Sequence, residues 1–167
     1  MLTAPTPLGD DHDLESFSCG EPTLDDWLRR QARRNEQRGT SRTYVVCDGA
    51  AVVGYYCLAA SAMVRSEAPK AVQRNVPDPI PVVVLGRLAT HHRYQGQGIG
   101  RALVRDATLR VLQAAEIAGI RAILVHALCD DARRFSLRVG FIESPLQPMT
   151  LCLSLETARR AVDPATS

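Results

Sequence analysis

An unbroken β-rich run, IPVVVLGRLAT, leads through HHRYQ into a turn carrying Gly96, Gly98 and Gly100, then into GIGRALVRDATLRVLQAAEIAG. Few features restrict a fold more. Glycines at alternate positions let a backbone approach a charged group closely, and successive N–H groups can point at one anion. A helix that starts at once adds partial positive charge from its N-terminus. The stretch therefore reads as strand, diphosphate-sized anion loop and helix. A P-loop is excluded because no Gly-Lys-Ser/Thr follows. A dinucleotide fingerprint fits poorly, since the spacing is not G-x-G-x-x-G and the first glycine lies too far beyond the strand. A glycine turn without a ligand is the plain alternative.

The pattern on either side defines a mixed α/β chain. EPTLDDWLRRQARRNEQRG reads as one helix, with Pro22 and Thr23 at its start, Asp25 and Asp26 at its positive end and Gly39 at its stop. Leu24, Trp27, Leu28 and Gln31 share one side of it. RTYVVCDG and AVVGYYCLAA form a hairpin through Asp48-Gly49. Residues 65 to 81 form a proline-containing connection with a helical turn at 71–75. The near-continuous apolarity of IPVVVLGRLAT marks a central strand covered on both faces. The long helix after the glycine turn closes at Gly119. RAILVHAL is another strand, with His126 as an interior histidine. DDARRFSLRVG is a short helix stopped by Gly140, and MTLCLSL is the last strand. The first 20 residues read as irregular. Strands followed by helix, strand, helix and strand give an α/β (α+β) sheet flanked by helices, and 167 residues suit one domain.

Composition narrows the partners. The net charge is only +2, so bulk charge selects none, but its distribution is uneven. From Arg29 to Arg42 there are six arginines against one acid, Glu36, and Lys70 is the single lysine. Arg30, Arg33, Arg34 and Arg38 recur at helical spacing along one stripe. Such a stripe is either a solvated face or an electrostatic footprint for a nucleic-acid backbone. Five cysteines without CxxC spacing argue against a zinc site or disulfide framework and suit a reducing cytoplasm. His91-His92 reads as a surface turn with no third ligand, so no metal is expected. The longest uncharged run, Ala50 to Val64, is too short for a membrane helix, and the acidic N-terminus is unlike a signal peptide.

With these residues in view, the chain resembles the GCN5-related N-acetyltransferases (GNAT). Their phosphate loop runs Gln/Arg-x-x-Gly-x-Gly/Ala, here Arg93-Tyr94-Gln95-Gly96-Gln97-Gly98. FSCGEPTLDDWLRRQARRNEQRGTSRTYVV, NVPDPIPVVVLGRLAT and HALCDDARRFSLRVGF, in that order, are similar to the TacT-type toxins of toxin–antitoxin pairs, from about Phe17 to Leu153. The resemblance implies a single GNAT domain over residues 1–167, with its core at about 17–155 and a mostly antiparallel central sheet. It implies a cytoplasmic enzyme that moves acetyl from acetyl-CoA to the α-amine of aminoacyl-tRNA. A ribbon–helix–helix antitoxin and a homodimer are the implied protein partners, with no membrane. Leu88, Ala89 and Thr90 match the strand that holds pantetheine. Gln95, Gly96, Gln97, Gly98, Ile99, Gly100 and Arg101 match the diphosphate loop. Arg87 matches an arginine near the acceptor cleft, and the arginine stripe becomes a footprint for tRNA.

One position departs from the family. Ser136 stands where these toxins carry tyrosine, between Phe135 and Gly140-Phe141. Attack on the thioester expels a CoA thiolate, which a phenol would protonate. A general acid of this kind contributes about 10²–10⁴-fold, and a serine hydroxyl is shorter and far less acidic. The acceptor's α-amine, with an ordinary pKa of about 7.7–8.0 or below, places no comparable demand on a base. Reduced turnover with intact acetyl-CoA binding is the expectation. Away from the family register, Ser136 is an ordinary solvent-facing serine. Acetylation of a protein or small amine, and a catalytically weak CoA- and antitoxin-binding module, are the competing functions.

Overall fold

A computed structural model describes residues 1–162. Among the described residues, seven strands, numbered in chain order, follow the order β1-β2-β3-β4-β5-β7-β6, and the architecture is mixed α/β. Two compact units divide the described residues, one from residues 1–59 and 86–107, the other from residues 60–85 and 108–162.

In the first unit, β1 (Thr6–Pro7) pairs antiparallel with β2 (Arg42–Asp48), and β2 pairs antiparallel with β3 (Ala51–Met63) through the Asp48-Gly49 turn. Gly49 has φ 65, the left-handed conformation a tight hairpin requires. Val52 to Cys57 are all buried, so this part of β3 is covered on both faces rather than alternating. The first 20 residues contain β1 and are less irregular than their composition suggests. α1 (Pro22–Arg30) and α2 (Ala32–Arg38) replace the single helix expected there. The break falls at Gln31, where φ −115 departs from helical geometry. Gln31 itself is exposed, and Ala32 beyond the break is buried in its place. Leu24, Leu28 and Ala32 pack with Phe17, Val45, Tyr55 and Ala89 in the core of this unit. Gly39 ends α2 at φ 70.

In the second unit, α3 (Lys70–Gln73) lies in the proline-containing connection. β4 (Ile80–Thr90) begins here and pairs in parallel with β5 (Ala122–His126), Val82 opposite Ala122. Parallel neighbours need a crossover, and α4 (Ile99–Ala114) lies between them in sequence. α4 stops five residues before Gly119. Bonds of the i→i−3 type from Glu116 to Gln113 and from Ile117 to Ala114 tighten its end, and Ile117 is exposed. β7 (Thr150–Ser154) pairs antiparallel with β5 and with the two-residue edge strand β6 (Ile142–Glu143). α5 (Asp130–Arg138) precedes β6, and Gly140 at φ 108 turns the chain after it. Met63, Val72, Ile80, Leu124 and Cys152 form the core. His126 is not interior. It is the exposed last residue of β5, its Nδ1 3.2 Å from Thr150 Oγ1.

A further helix, α6 (Leu155–Val162), follows β7, the last strand expected from the sequence. Ser154 accepts a bond from the Thr157 amide at 3.1 Å, an N-cap, while Leu155 and Ala158 are buried. No helix among the described residues is long and apolar enough to cross a membrane.

Candidate active site

The glycine turn is held by its neighbours before it meets any ligand. At the end of β4, Leu88 and Thr90 are half-buried and Ala89 is buried. The His91 amide donates to Val53 O of β3 at 2.8 Å, and the His92 amide donates to Ser18 O at 2.8 Å. His91 Nδ1 accepts from the Arg93 amide. The Tyr94 hydroxyl donates to Asp48 Oδ2 at 2.6 Å, fixing the turn to the tip of the β2–β3 hairpin. Gln95 Nε2 donates to Cys19 O at 3.2 Å and Thr90 O at 3.1 Å. The Gln95 side chain therefore braces the loop internally.

Beyond Gln95 the backbone is open. Gly96 and Gly98 have φ 80 and 84, with no heavy atom within 4 Å of where a Cβ would stand. Torsion rather than crowding selects glycine here. Among the described residues, nothing accepts from the amides of Gly96, Gln97 or Gly98. The first-turn amides of α4 have no intrahelical partner by geometry. Buried Ile99 anchors this helix start, and Gly54 of β3 makes room for it. A Cβ at Gly54 would stand 3.0 Å from Ile99 Cγ2. The first turn of α4 contains no acid, and Arg101 on it is exposed. Free amides, left-handed glycines, a helix N-terminus and an exposed arginine suit a diphosphate.

Immediately before this segment, Arg87 has φ 60 within β4, and its guanidinium lies 5.3 Å from the centroid of the Trp27 ring. Arg30, Arg34 and Arg38 are exposed. Arg33 is half-buried and differs from them. Its Nη2 donates to the carbonyls of Gly9, Asp10 and His12, the last at 2.6 Å. The four arginines of the stripe are thus not equivalent.

Electrostatics favour keeping three of the thiols out of the chemistry. Burial pushes Cys19 and Cys57 up to about 11 and Cys152 to about 12, so each stays a thiol near neutrality. The Tyr94 hydroxyl, followed by the nearby N-terminal amine, holds Asp48 below the usual carboxylate range. Burial, then the neighbouring His92, lowers His91, favouring a neutral imidazole.

Ser136 belongs to the second unit, on α5. It is 9% exposed rather than solvent-facing, and its Oγ donates to Ala132 O at 2.9 Å. The hydroxyl is thus satisfied within its own helix. Around it, Arg133 pairs with Asp130 and Glu143, while Arg134 pairs with Asp130. Phe141 is core and Phe135 is half-buried.

Several supports of the site carried no legible signal. Ser18 and Cys19 contribute backbone oxygens, and Asp48 reaches Tyr94 across 46 residues. The only local hint was the hairpin signature Asp48-Gly49.

Comparison with known proteins agrees with this geometry. Residues 39–143 match the acetyltransferase (GNAT) domain. Over 160 residues the chain is 47% identical to a tRNA-acetylating toxin of Mycobacterium tuberculosis, covering 96% of each chain. AtaT complexed with acetyl-methionyl-tRNAfMet superposes with a TM-score of 0.88 at 32% identity, covering 100% of both chains. AtaTR bound with AcCoA gives a TM-score of 0.83 at 32% identity, covering 96% of this chain and 98% of that one. The chain belongs to the GNAT acetyltransferase family, within its TacT-type tRNA-acetylating toxins. It is an N-acetyltransferase with acetyl-CoA as the acetyl donor.

Proposed function

We propose that this protein is the toxin of a toxin–antitoxin pair and acetylates the α-amine of aminoacyl-tRNA, blocking translation. The observation that carries this reading is the 47% identity, over 96% of both chains, to a tRNA-acetylating toxin. The open amides of Gly96 to Gly98 support the donor half of it. The whole chain, 1–167, acts as one acetyltransferase domain in the cytoplasm. It is a homodimer neutralised by a ribbon–helix–helix antitoxin.

In this reading, the loop from Gln95 to Arg101 holds the CoA diphosphate and the edge of Leu88 to Thr90 aligns pantetheine. A backbone amide of that edge stabilises the oxyanion as the amine attacks the thioester carbon. The C–S bond then breaks, and the departing thiolate takes a proton. Ser136 stands at the family's tyrosine position and performs that last step poorly, through water. Arg30, Arg34, Arg38 and Arg87 contact the RNA, and Arg33 supports the surface they share. The test is incubation with labelled acetyl-CoA and total charged tRNA, followed by identification of the labelled aminoacyl group. Label on aminoacyl-tRNA supports the reading. Label confined to protein or small amines moves the function to those acceptors.

The Ser136 Oγ–Ala132 O bond favours a second reading, a CoA- and antitoxin-binding module with little turnover. Binding of acetyl-CoA without release of CoA in the presence of charged tRNA would establish it.

A further inference from the structure

Arg87 occupies backbone space that suits glycine. Only two non-glycine residues among those described have positive φ, Asn75 at 51 and Arg87 at 60. Asparagine tolerates that region through local hydrogen bonds, and an arginine inside a strand has no such relief. An outlier of this kind persists when its surroundings hold it in place. Those surroundings are an aromatic pile. The guanidinium lies 5.3 Å over Trp27, and Trp27 is parallel to Tyr55 at 3° and 6.0 Å. Tyr55 is fully buried, donates to Leu24 O at 2.7 Å, and has the Phe17 ring edge-on at 5.4 Å. Phenol, indole and guanidinium are therefore layered outward from the core to an exposed cation. Among the described residues no carboxylate pairs with the Arg87 guanidinium and no oxygen accepts from its nitrogens. The guanidinium carbon lies over the Trp27 ring, and the residue is exposed.

We propose that Arg87 is a stacking subsite for an unpaired nucleobase at the 3′ end of the RNA acceptor, with Trp27 as its positioning residue. The proposal rests on the aminoacyl-tRNA reading above and adds the chemistry of one contact. The 3′ end of an aminoacyl-tRNA is single-stranded, and such ends are recognised by bases stacked on aromatic rings or guanidinium planes. A phosphate contact would draw on the charge and the donor fork of the guanidinium. It would need neither the left-handed backbone nor the aromatic pile. A planar cation seated over an indole is suited to a flat ligand.

The experiment uses Arg87→Lys, Trp27→Leu and Trp27→Phe in the full chain, with melting temperature and acetyl-CoA affinity as checks on folding. Arg87→Lys and Trp27→Leu should each raise KM for aminoacyl-tRNA about tenfold or more, the scale of one lost base stack. Trp27→Phe should recover most of that loss. A short single-stranded oligonucleotide ending in CCA should compete for the unsubstituted protein, and an abasic oligonucleotide of equal length should compete about tenfold less well. Full activity in Arg87→Lys, or equal competition by the abasic oligonucleotide, assigns Arg87 to phosphate and overturns the proposal. So does a Trp27→Leu loss that tracks lowered melting temperature and acetyl-CoA affinity. Transfer to aminoacyl-tRNA with unaffected variants removes the subsite alone. Absence of both RNA binding and transfer in the unsubstituted protein removes the functional reading and the subsite together.

Discussion

The segment from Gly86 to Arg101 and the helix α5 carry their chemistry in opposite ways. In the first, the backbone presents the functional groups. Gly96 and Gly98 hold left-handed torsions, their amides are open, and the surrounding side chains serve as struts. In the second, any catalytic contribution comes from one side chain, and the Ser136 hydroxyl is satisfied by Ala132 O. A backbone-built site tolerates drift in side-chain identity and fails when a torsion is forbidden. A side-chain site keeps its fold and loses its rate with one substitution. Donor binding and turnover should therefore separate cleanly in this protein.

The sharpest break of that contrast is at Gly98. Open space surrounds its missing Cβ, so substitution acts through the torsion alone. Gly98→Val places a β-branched residue at φ 84 and should abolish acetyl-CoA binding, read by calorimetry. Gly98→Asn, whose side chain tolerates the left-handed region, should keep more affinity than Val. Normal affinity in the valine variant would end the phosphate-loop assignment. The reverse experiment is Ser136→Tyr. Restoring a phenol should raise transfer to aminoacyl-tRNA by at least about tenfold, given a general-acid range of about 10²–10⁴, with little change in acetyl-CoA affinity. Equal initial rates would show that this side chain is not the acid.

The same contrast explains what the sequence disclosed. Glycines with a torsional duty leave a spacing that can be read, so β4, the loop and the start of α4 were legible from IPVVVLGRLAT and GQGIG. The Asp48-Gly49 hairpin and the Gly140 stop were legible for the same reason. Features set by tertiary contact were not. The break at Gln31 accompanies burial of Ala32 and the reach of Arg33 to the N-terminal carbonyls, and no local signal announces either. His126 sits on a strand that reads as buried, yet it is the terminal residue and its face is open. α6 was legible in principle, because Ser154 before Leu-Glu-Thr is an N-cap pattern. The preceding strand signal masked it. Ser136 could be located only by family register, since a lone serine on a helix carries no signature.

The arginines of α1 and α2 test whether charge can be assigned by spacing. Converting Arg30, Arg34 and Arg38 to Glu should weaken tRNA binding several-fold and leave acetyl-CoA affinity unchanged. The salt slope should fall by about one for each lost phosphate contact. Unchanged tRNA affinity would make the three a solvated face. Arg33 should behave differently, because it serves carbonyls of the chain itself. Arg33→Met should lower stability by about 1 kcal/mol, the net scale of a hydrogen bond whose acceptors stay within reach of water. Denaturant unfolding measures this, and an unchanged midpoint would return Arg33 to the exposed stripe.

The smallest effect belongs to the strut that ties the loop to the hairpin. Tyr94 and the N-terminal amine depress the pKa of Asp48 below its ordinary 3.8. The folded state therefore releases this proton more readily than the unfolded one. The resulting stability is fully present above the unfolded pKa and is lost as pH falls through the depressed folded value. Asp48→Asn should lower the melting temperature slightly at pH 7, and the difference from the unsubstituted protein should shrink only below about pH 3.8. Because Asp48 is open to solvent, salt should narrow the gap as well. Paired thermal scans across pH 2.5 to 7 decide the matter. A difference that persists undiminished at the acid end would mean that Asp48 holds Tyr94 through geometry rather than charge, placing this strut with the backbone-built half of the molecule.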